Sequence, residues 1–157
     1  MKIRVFLAAV CLALLAGCAM AGTEDVVAYR AVSPYYLTDG PAIEPEEVAV
    51  DTSLGAIEAA IVAFSSDSDE PDLQCALPDG VEITGWELDG SELRIYVSPQ
   101  YAALTGHNRT VADACIVLTF CAIDGIESVS IYSGDTLLTA RLGVDDLLLV
   151  DESGSVE

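Results

Sequence analysis

The sequence is poor in basic residues. It has six lysine and arginine residues against 26 acidic ones, which gives a formal net charge of −20 at pH 7. Such an acidic surface repels both the phosphates of nucleic acids and anionic lipid headgroups. The charge balance therefore argues against nucleic-acid binding, and any attachment to a membrane needs something other than a basic patch.

Residue types that perform catalysis or bind metals are also scarce. His107 is the only histidine, and the cysteines of the later chain, Cys75, Cys115 and Cys121, include no Cys-x-x-Cys pair for zinc. The sequence contains no Gly-x-Ser-x-Gly turn and no glycine-rich loop that could hold a phosphate. We therefore expect a protein that is not an enzyme, with no catalytic residues, no bound metal and no cofactor.

Two features keep ligand binding open as an alternative. Residues 65–72, SSDSDEPD, gather the carboxylates that calcium prefers, but they lack the glycine and the distant glutamate of an EF-hand loop. His107, in TGHNRT, has two interpretations: it is either a general base or a solvated loop histidine. The alternative function is a surface lipoprotein that binds a small ligand or cation through these two features, and a cell-wall enzyme using His107 comes third.

Long hydrophobic runs are missing too. The apolar stretch at residues 5–17 is shorter than the roughly 20 residues that cross a bilayer. It follows a basic start and ends in small residues, which is the layout of a secretory signal. Its last letters, Leu15-Ala16-Gly17-Cys18, resemble a bacterial lipobox. The resemblance implies that residues 1–17 are a signal peptide and that the Cys18 sulfur receives a diacylglyceryl group.

A lipid-modified Cys18 would anchor the chain at the extracytoplasmic face of the cell membrane. Each buried methylene contributes ~0.8 kcal/mol, and two acyl chains are enough for stable anchoring. Loss of Lys2 and Arg4 with the signal leaves four arginines against 26 acidic residues, a formal charge of −22. We expect residues 18–25 to form a tether. An ordinary secretory signal with an incidental cysteine is the other reading.

Apolar periodicity predicts one α+β domain over residues 26–150, followed by a disordered tail at 151–157. Residues 33–47 carry three prolines and are expected to be a loop. The predicted elements are a strand (26–32), a helix (53–64) capped by Asp51, Thr52 or Ser53, a hairpin (81–97), a helix (109–123) and a strand (127–132). This β-α-β-β-α-β order predicts two helices packed on one face of a small mixed sheet.

The hairpin predicts which side chains face outward. Asp89-Gly90 favours a type I′ turn, and one extra residue near Gly85 is needed to align the apolar positions, so a β-bulge is expected there. Alternation then points Leu93, Ile95 and Val97 inward. The outward set on the hairpin and the last strand is Arg94, Tyr96, Ser130 and Tyr132. Tyrosine and arginine are favoured at interfaces, so Arg94, Tyr96 and Tyr132 form a candidate interaction surface. The other reading is that these residues simply cover a solvated sheet face.

Two short motifs flank this region. Ala76-Leu77-Pro78-Asp79-Gly80 approaches the hairpin, and Gly125-Ile126-Glu127-Ser128-Val129 enters the last strand. With the order of elements they resemble a GerMN domain over residues 26–140. The resemblance implies a fold similar to ring-building motifs, no catalytic residues, and a role as a protein-interaction or assembly module of the cell envelope, with a link to sporulation. This chain would carry one such domain rather than two.

The expected partners are the membrane, through acyl chains on Cys18, and other envelope proteins or further copies of the chain. Cys115 and Cys121 are six residues apart on one predicted helix, about 9 Å along its axis, which is too far for a disulfide. A bridge from Cys75 to either of them stays open.

Overall fold

The computed structural model describes residues 22–33 and 40–147. The predicted signal peptide, Cys18 and the 151–157 tail lie outside these residues. Within them, no helix is both long and apolar enough to cross a bilayer. The elements are β1 (Thr23–Val32), β2 (Ile43–Asp51), α1 (Ala56–Ser65), β3 (Leu73–Gln74), β4 (Ile83–Asp89), β5 (Glu92–Val97), a 3-10 helix (Pro99–Ala103), α2 (Gly106–Cys121), β6 (Ser128–Ser133), β7 (Thr136–Leu142) and a 3-10 helix (Val144–Asp146).

The predicted α+β class with two helices is confirmed, but the strands form two sheets rather than one. The first sheet has the order β2-β1-β3 and the second the order β4-β5-β6-β7. β5 and β6 are parallel, whereas the other neighbours are antiparallel. Helix α2 contacts both sheets, through β1 and β6, and α1 contacts β1, β2 and α2. The single mixed sheet that was expected is therefore replaced by two sheets, of which both helices contact the first through β1 and α2 also contacts the second. A helix that is apolar nearly all round, as α2 is, can pack against two sheets at once.

The predicted loop at 33–47 is wrong at its second half, because β2 begins at Ile43. This strand pairs with nearly the whole of β1, from Thr23 opposite Asp51 to Ala31 opposite Ile43. Its proline, Pro45, is tolerated because β2 lies at the edge of its sheet. The same pairing shortens the predicted tether, since residues 23–25 belong to β1.

The helices are shifted from their predicted bounds. Asp51 accepts a hydrogen bond from the Ser53 backbone N–H (2.8 Å), so the chain turns there and α1 begins only at Ala56. None of the three predicted residues caps it; the N-cap is Gly55, which makes no side-chain cap bond. α2 starts three residues early, at Gly106.

The hydrophobic core lies between the second sheet and the helices. The predicted inward residues of β5 and β6 are almost fully buried: Leu93, Ile95, Val97, Val129 and Ile131. Phe64 of α1 packs against Phe120 of α2, with ring centroids 6.1 Å apart. The alternation of apolar and polar residues in β5 and β6 therefore predicted correctly which side of these strands faces the core.

Arg30 of β1 is fully buried and joins the first sheet to the end of α1. Its Nε donates to Glu46 (2.7 Å), and its two terminal nitrogens donate to the carbonyls of Ala63, Phe64 and Ser66 and to the Ser66 hydroxyl. A guanidinium has five N–H donors, and here each has an acceptor. Arg30 thus satisfies carbonyls that the C-terminus of a helix leaves without partners.

Cys75, Cys115 and Cys121 carry free thiols, so neither disulfide left open by the sequence is formed. The Cys75 thiol donates to the carbonyl of Phe64 (3.3 Å). Cys115 is fully buried, and burial together with the neighbouring Cys75 raises the pKa of its thiol to about 12. Cys115 therefore behaves as a small core residue.

Candidate functional site

The second sheet has one face toward the core and one toward solvent, and the solvent face carries the candidate interaction surface. In the parallel register of β5 and β6, Arg94 lies opposite Ser130 and Tyr96 lies opposite Tyr132. The three predicted surface residues, Arg94, Tyr96 and Tyr132, are all partly exposed and are brought together on this face. Their function as a binding surface remains a prediction. We call this surface the open face.

The turn of the β4–β5 hairpin determines which residues join the open face. The predicted turn at Asp89-Gly90 is wrong, because Asp89 pairs with Glu92 and the two loop residues are Gly90 and Ser91. Gly90 has φ 65°, whereas Ser91 is not among the residues with positive φ, which matches a type II′ rather than a type I′ turn. The predicted bulge is confirmed between Ile83 and Gly85. The one-residue displacement of the turn places Glu87 opposite Arg94.

Aromatic side chains form the centre of the open face. The rings of Tyr96 and Tyr132 have centroids 5.5 Å apart and planes inclined by 33°, a favourable offset arrangement. Leu137 of β7 lies opposite Tyr132 and is 47% exposed. Gly85 lies opposite Tyr96 on the other side and adds no side chain. These four residues cross the sheet from β4 to β7, and we call them the tyrosine stripe.

Charged groups line one side of the tyrosine stripe. Arg94 donates to Asp89 (2.6 Å), and the Tyr96 hydroxyl donates to Glu87 (3.0 Å). The hydrogen bond to Glu87 and partial burial raise the pKa of Tyr96. Asp89 and Glu92 are like charges directly opposite one another, an unfavourable pair that Arg94 relieves through its bond to Asp89.

Ser130 was expected on the open face but is 1% exposed. Its hydroxyl donates to Glu92 (2.5 Å) and accepts from the backbone N–H of Arg141 (2.9 Å). Arg141 has φ 42° and its side chain is paired with Glu92 at 3.6 Å. Irregular pairing of β6 with β7 covers Ser130, so the accessible part of the face lies around the tyrosines.

Sequence reasoning missed Leu137 and Glu87. A two-residue turn at Gly134-Asp135 places Tyr132 opposite Leu137, and this register could have been read from the turn itself. Glu87 was missed because the hairpin turn was placed one residue early.

The two features of the alternative hypothesis meet at a second location. His107, the second residue of α2, and Asp67 both line a groove of about 870 Å³. Leu77, Val81 and Val111 add apolar surface to it. The groove is therefore amphipathic and separate from the tyrosine stripe.

The acidic segment 65–72 is hydrogen-bonded to Glu46 of β2. Glu46 accepts hydrogen bonds from the Ser68 hydroxyl (2.7 Å) and from the Asp69 backbone (3.1 Å) while it pairs with Arg30. In the part of the chain that the structure describes, no three His, Cys, Asp or Glu side chains are placed to hold a metal ion.

These features define an α+β domain with one helix-covered core and one exposed sheet face. No family model matches the sequence, and no protein of curated function matches it. Solved structures do. The first GerMN domain of the sporulation protein GerM from Bacillus subtilis matches with a TM-score of 0.58 at 9% identity, over 77% of this chain and 92% of that one.

The tandem GerMN domains of the same protein match with a TM-score of 0.58 at 14% identity, over 73% of this chain. This chain spans 40% of the tandem chain. A putative lipoprotein from Clostridium perfringens shares 19% identity over 80% of this chain and 90% of that one, with a TM-score of 0.46. The likeness confirms the predicted resemblance at the level of fold: this chain has a GerMN-like fold.

Proposed function

We propose that the chain is a membrane-anchored extracytoplasmic lipoprotein whose GerMN-like domain is a non-catalytic interaction module of the cell envelope. The observation that carries the proposal is the tyrosine stripe, a row on the second sheet in which two partly exposed tyrosines adjoin an exposed leucine. Large apolar side chains exposed together on a soluble domain mark interaction surfaces. The lipobox and the GerMN-like fold support the setting in the envelope.

The anchor is tested by Cys18→Ala. Without the thiol no acyl chain can be attached, so the folded domain should leave the membrane fraction. Cys75→Ala is the matched control and should stay in the membrane pellet, because its thiol has no part in anchoring. Retention of the Cys18→Ala protein in the pellet would contradict lipid anchoring.

The interaction is tested in intact cells by placing a photo-crosslinking amino acid at position 137, on the open face. Position 88 is the control, because Leu88 is 50% exposed on the opposite face of the same sheet. Adducts from position 137 and not from position 88 support the proposal. Absence of protein adducts from position 137 refutes it.

A role in sporulation is part of the proposal by analogy with GerM, which the neighbouring structures name as a sporulation protein. It predicts expression of the gene during sporulation and a lower spore yield after its deletion. Normal yield would remove this part of the proposal and leave the anchored module.

The amphipathic groove favours one second candidate, a lipoprotein that binds a small ligand or cation. A calcium titration followed by melting temperature tests the cation version. A rise of several degrees at micromolar calcium, lost in Asp67→Asn and in His107→Ala, would support it. A flat titration would reject calcium.

A further inference from the structure

The described surface has no cation that lacks an acidic partner. The basic side chains of residues 22–33 and 40–147 are Arg30, Arg94, Arg109 and Arg141, and each is in an ion pair. Arg30 is also fully buried. The unpaired charge of this part of the chain is therefore entirely negative.

The open face shares this character. Glu87 and Asp89 border the tyrosine stripe with side chains that are 61% and 66% exposed. Arg94 lies between them and is held by Asp89 at 2.6 Å, with Glu87 further away at 4.0 Å. A partner that approaches the stripe thus meets exposed carboxylates. Arg94 beside them is already paired with Asp89, although its buried Nε has no hydrogen-bond partner among the described residues, and Arg141 is paired with Glu92.

A second copy of the chain is a poor occupant of this face. Two copies would bring together surfaces of the same sign, each from a chain with a net charge of −20. Like charges facing one another across an interface disfavour association. No unpaired cation of the described residues is available to offset that repulsion.

A basic partner fits the same face. Guanidinium and ammonium groups bind over tyrosine rings and pair with carboxylates, and Tyr96, Tyr132, Glu87 and Asp89 offer both within one surface. Leu137 adds an aliphatic contact at the far end of the stripe. The fitting segment thus combines positive charge with apolar side chains.

We propose that the tyrosine stripe binds a basic, partly apolar segment of another protein rather than a second copy of this chain. The inference rests on the proposed function, because it names the chemistry of the partner at the same surface. It names a different protein, rather than a second copy of this chain, as the partner at this face.

The test uses the full lipoprotein in detergent and two fluorescent peptides, one alternating arginine with leucine and one alternating glutamate with leucine. We expect the arginine peptide alone to bind. Its affinity should fall steeply between about 0.1 M and about 1 M salt, where the screening length drops from about 10 Å to about 3 Å. Sedimentation should show no self-association that depends on the open face.

Matched variants locate the binding. Leu137→Ser and Tyr132→Ser should each weaken binding by about tenfold or more, whereas Leu88→Ser, on the opposite face, should change it little. The pair Glu87→Gln with Asp89→Asn should weaken it more than Glu44→Gln with Glu47→Gln, which removes the same charge from the other sheet. Unchanged melting temperatures show that the exposed substitutions leave the fold intact.

The inference is overturned by equal binding of the glutamate peptide, by equal effects of open-face and control variants, or by crosslinked adducts from position 137 that are copies of this chain. Adducts to another protein in cells, with no binding of the arginine peptide, would overturn the inference and leave the proposed function standing. Absence of any adduct from position 137 would overturn the proposed function itself.

Discussion

Replacement of Arg30 by methionine should destabilise the domain more than any exposed substitution. The side chain is fully buried, and all five of its N–H donors are used, by Glu46, by three carbonyls at the end of α1 and by the Ser66 hydroxyl. Methionine fills much of the same volume but donates no hydrogen bond. It leaves the Glu46 carboxylate, 10% exposed, without its cation.

The expected cost follows from this geometry. Removal of one partner of a buried ion pair costs about 3–5 kcal/mol, because the other charge is left uncompensated. For a domain of this size, about 4 °C of melting temperature corresponds to 1 kcal/mol. Arg30→Met should therefore lower the melting temperature by about 12–20 °C, measured by circular dichroism or calorimetry.

Two further variants separate the contribution of the Arg30 charge to stability from that of its hydrogen bonds. Arg30→Lys keeps the charge but has three donors instead of five, so it should fall between wild type and Arg30→Met. The double variant Arg30→Met with Glu46→Leu removes both charges and should regain part of the loss, since no buried charge is then left uncompensated. The recovery should be incomplete, because the carbonyls lack a donor and the Ser68 hydroxyl and Asp69 N–H lack their acceptor.

The matched control is Arg141→Met, which breaks a longer salt bridge, 3.6 Å against 2.7 Å, whose arginine is 72% exposed. The Glu92 side chain is only 11% exposed, but it keeps the hydrogen bond from the Ser130 hydroxyl. Water around the exposed arginine screens this pair, so the melting temperature should change by a few degrees only. The reasoning is refuted if Arg30→Met is no less stable than Arg141→Met, or if Arg30→Lys has the same melting temperature as the wild type.

Three other predictions concern buried groups. Burial raises the pKa of Glu46, but hydrogen bonds from Ser68, Arg30 and the Asp69 backbone, together with the Arg30 charge, lower it by more, so the net pKa lies below that of an ordinary glutamate. Stability from Glu46 should therefore be present above the ordinary glutamate pKa and lost as the pH falls through the folded pKa. Urea titrations of wild type and Glu46→Gln should converge in acid and not diverge. Cys115 should resist iodoacetamide at neutral pH until urea unfolds the chain, as read by mass spectrometry; equal labelling with and without urea would contradict its burial. Thr119→Val should cost about 1–3 kcal/mol in urea unfolding, because the Tyr29 N–H loses its 2.9 Å acceptor; an unchanged midpoint would show that the bond contributes nothing.

Sequence patterns were reliable for features that depend on residues close together in the chain, such as which side of a strand is buried. The alternation of Leu93, Ile95 and Val97 correctly identified the buried side of β5, and the outward positions followed from it. Gly125, shortly after α2, has φ 90°, a backbone conformation that glycine adopts without strain. The bulge at Gly85 was also found, because only an extra residue reconciles the apolar positions of β4 with those of β5.

Sequence patterns failed for features that depend on pairing between two segments, such as the formation of β2 and the register of the hairpin. Glu44, Pro45 and Glu46 have the composition of a loop, yet they form a strand because β1 supplies backbone partners along its length. The hairpin register depended on whether Asp89-Gly90 or Gly90-Ser91 forms the turn, and both readings satisfy local turn preferences. The choice placed Glu87 beside Arg94 and so set the charge pattern of the open face.

The amino-acid sequence by itself determined the acidic surface, the scarcity of catalytic groups, the two helices and the inward faces of β5 and β6, because these depend on composition and on the period of each element. The tertiary structure alone decided the split into two sheets, the burial of Arg30 beside Glu46 and the alignment of Tyr96, Tyr132 and Leu137. These features arise from pairing between segments far apart in the chain, and the energy of such pairing is not contained in either segment alone.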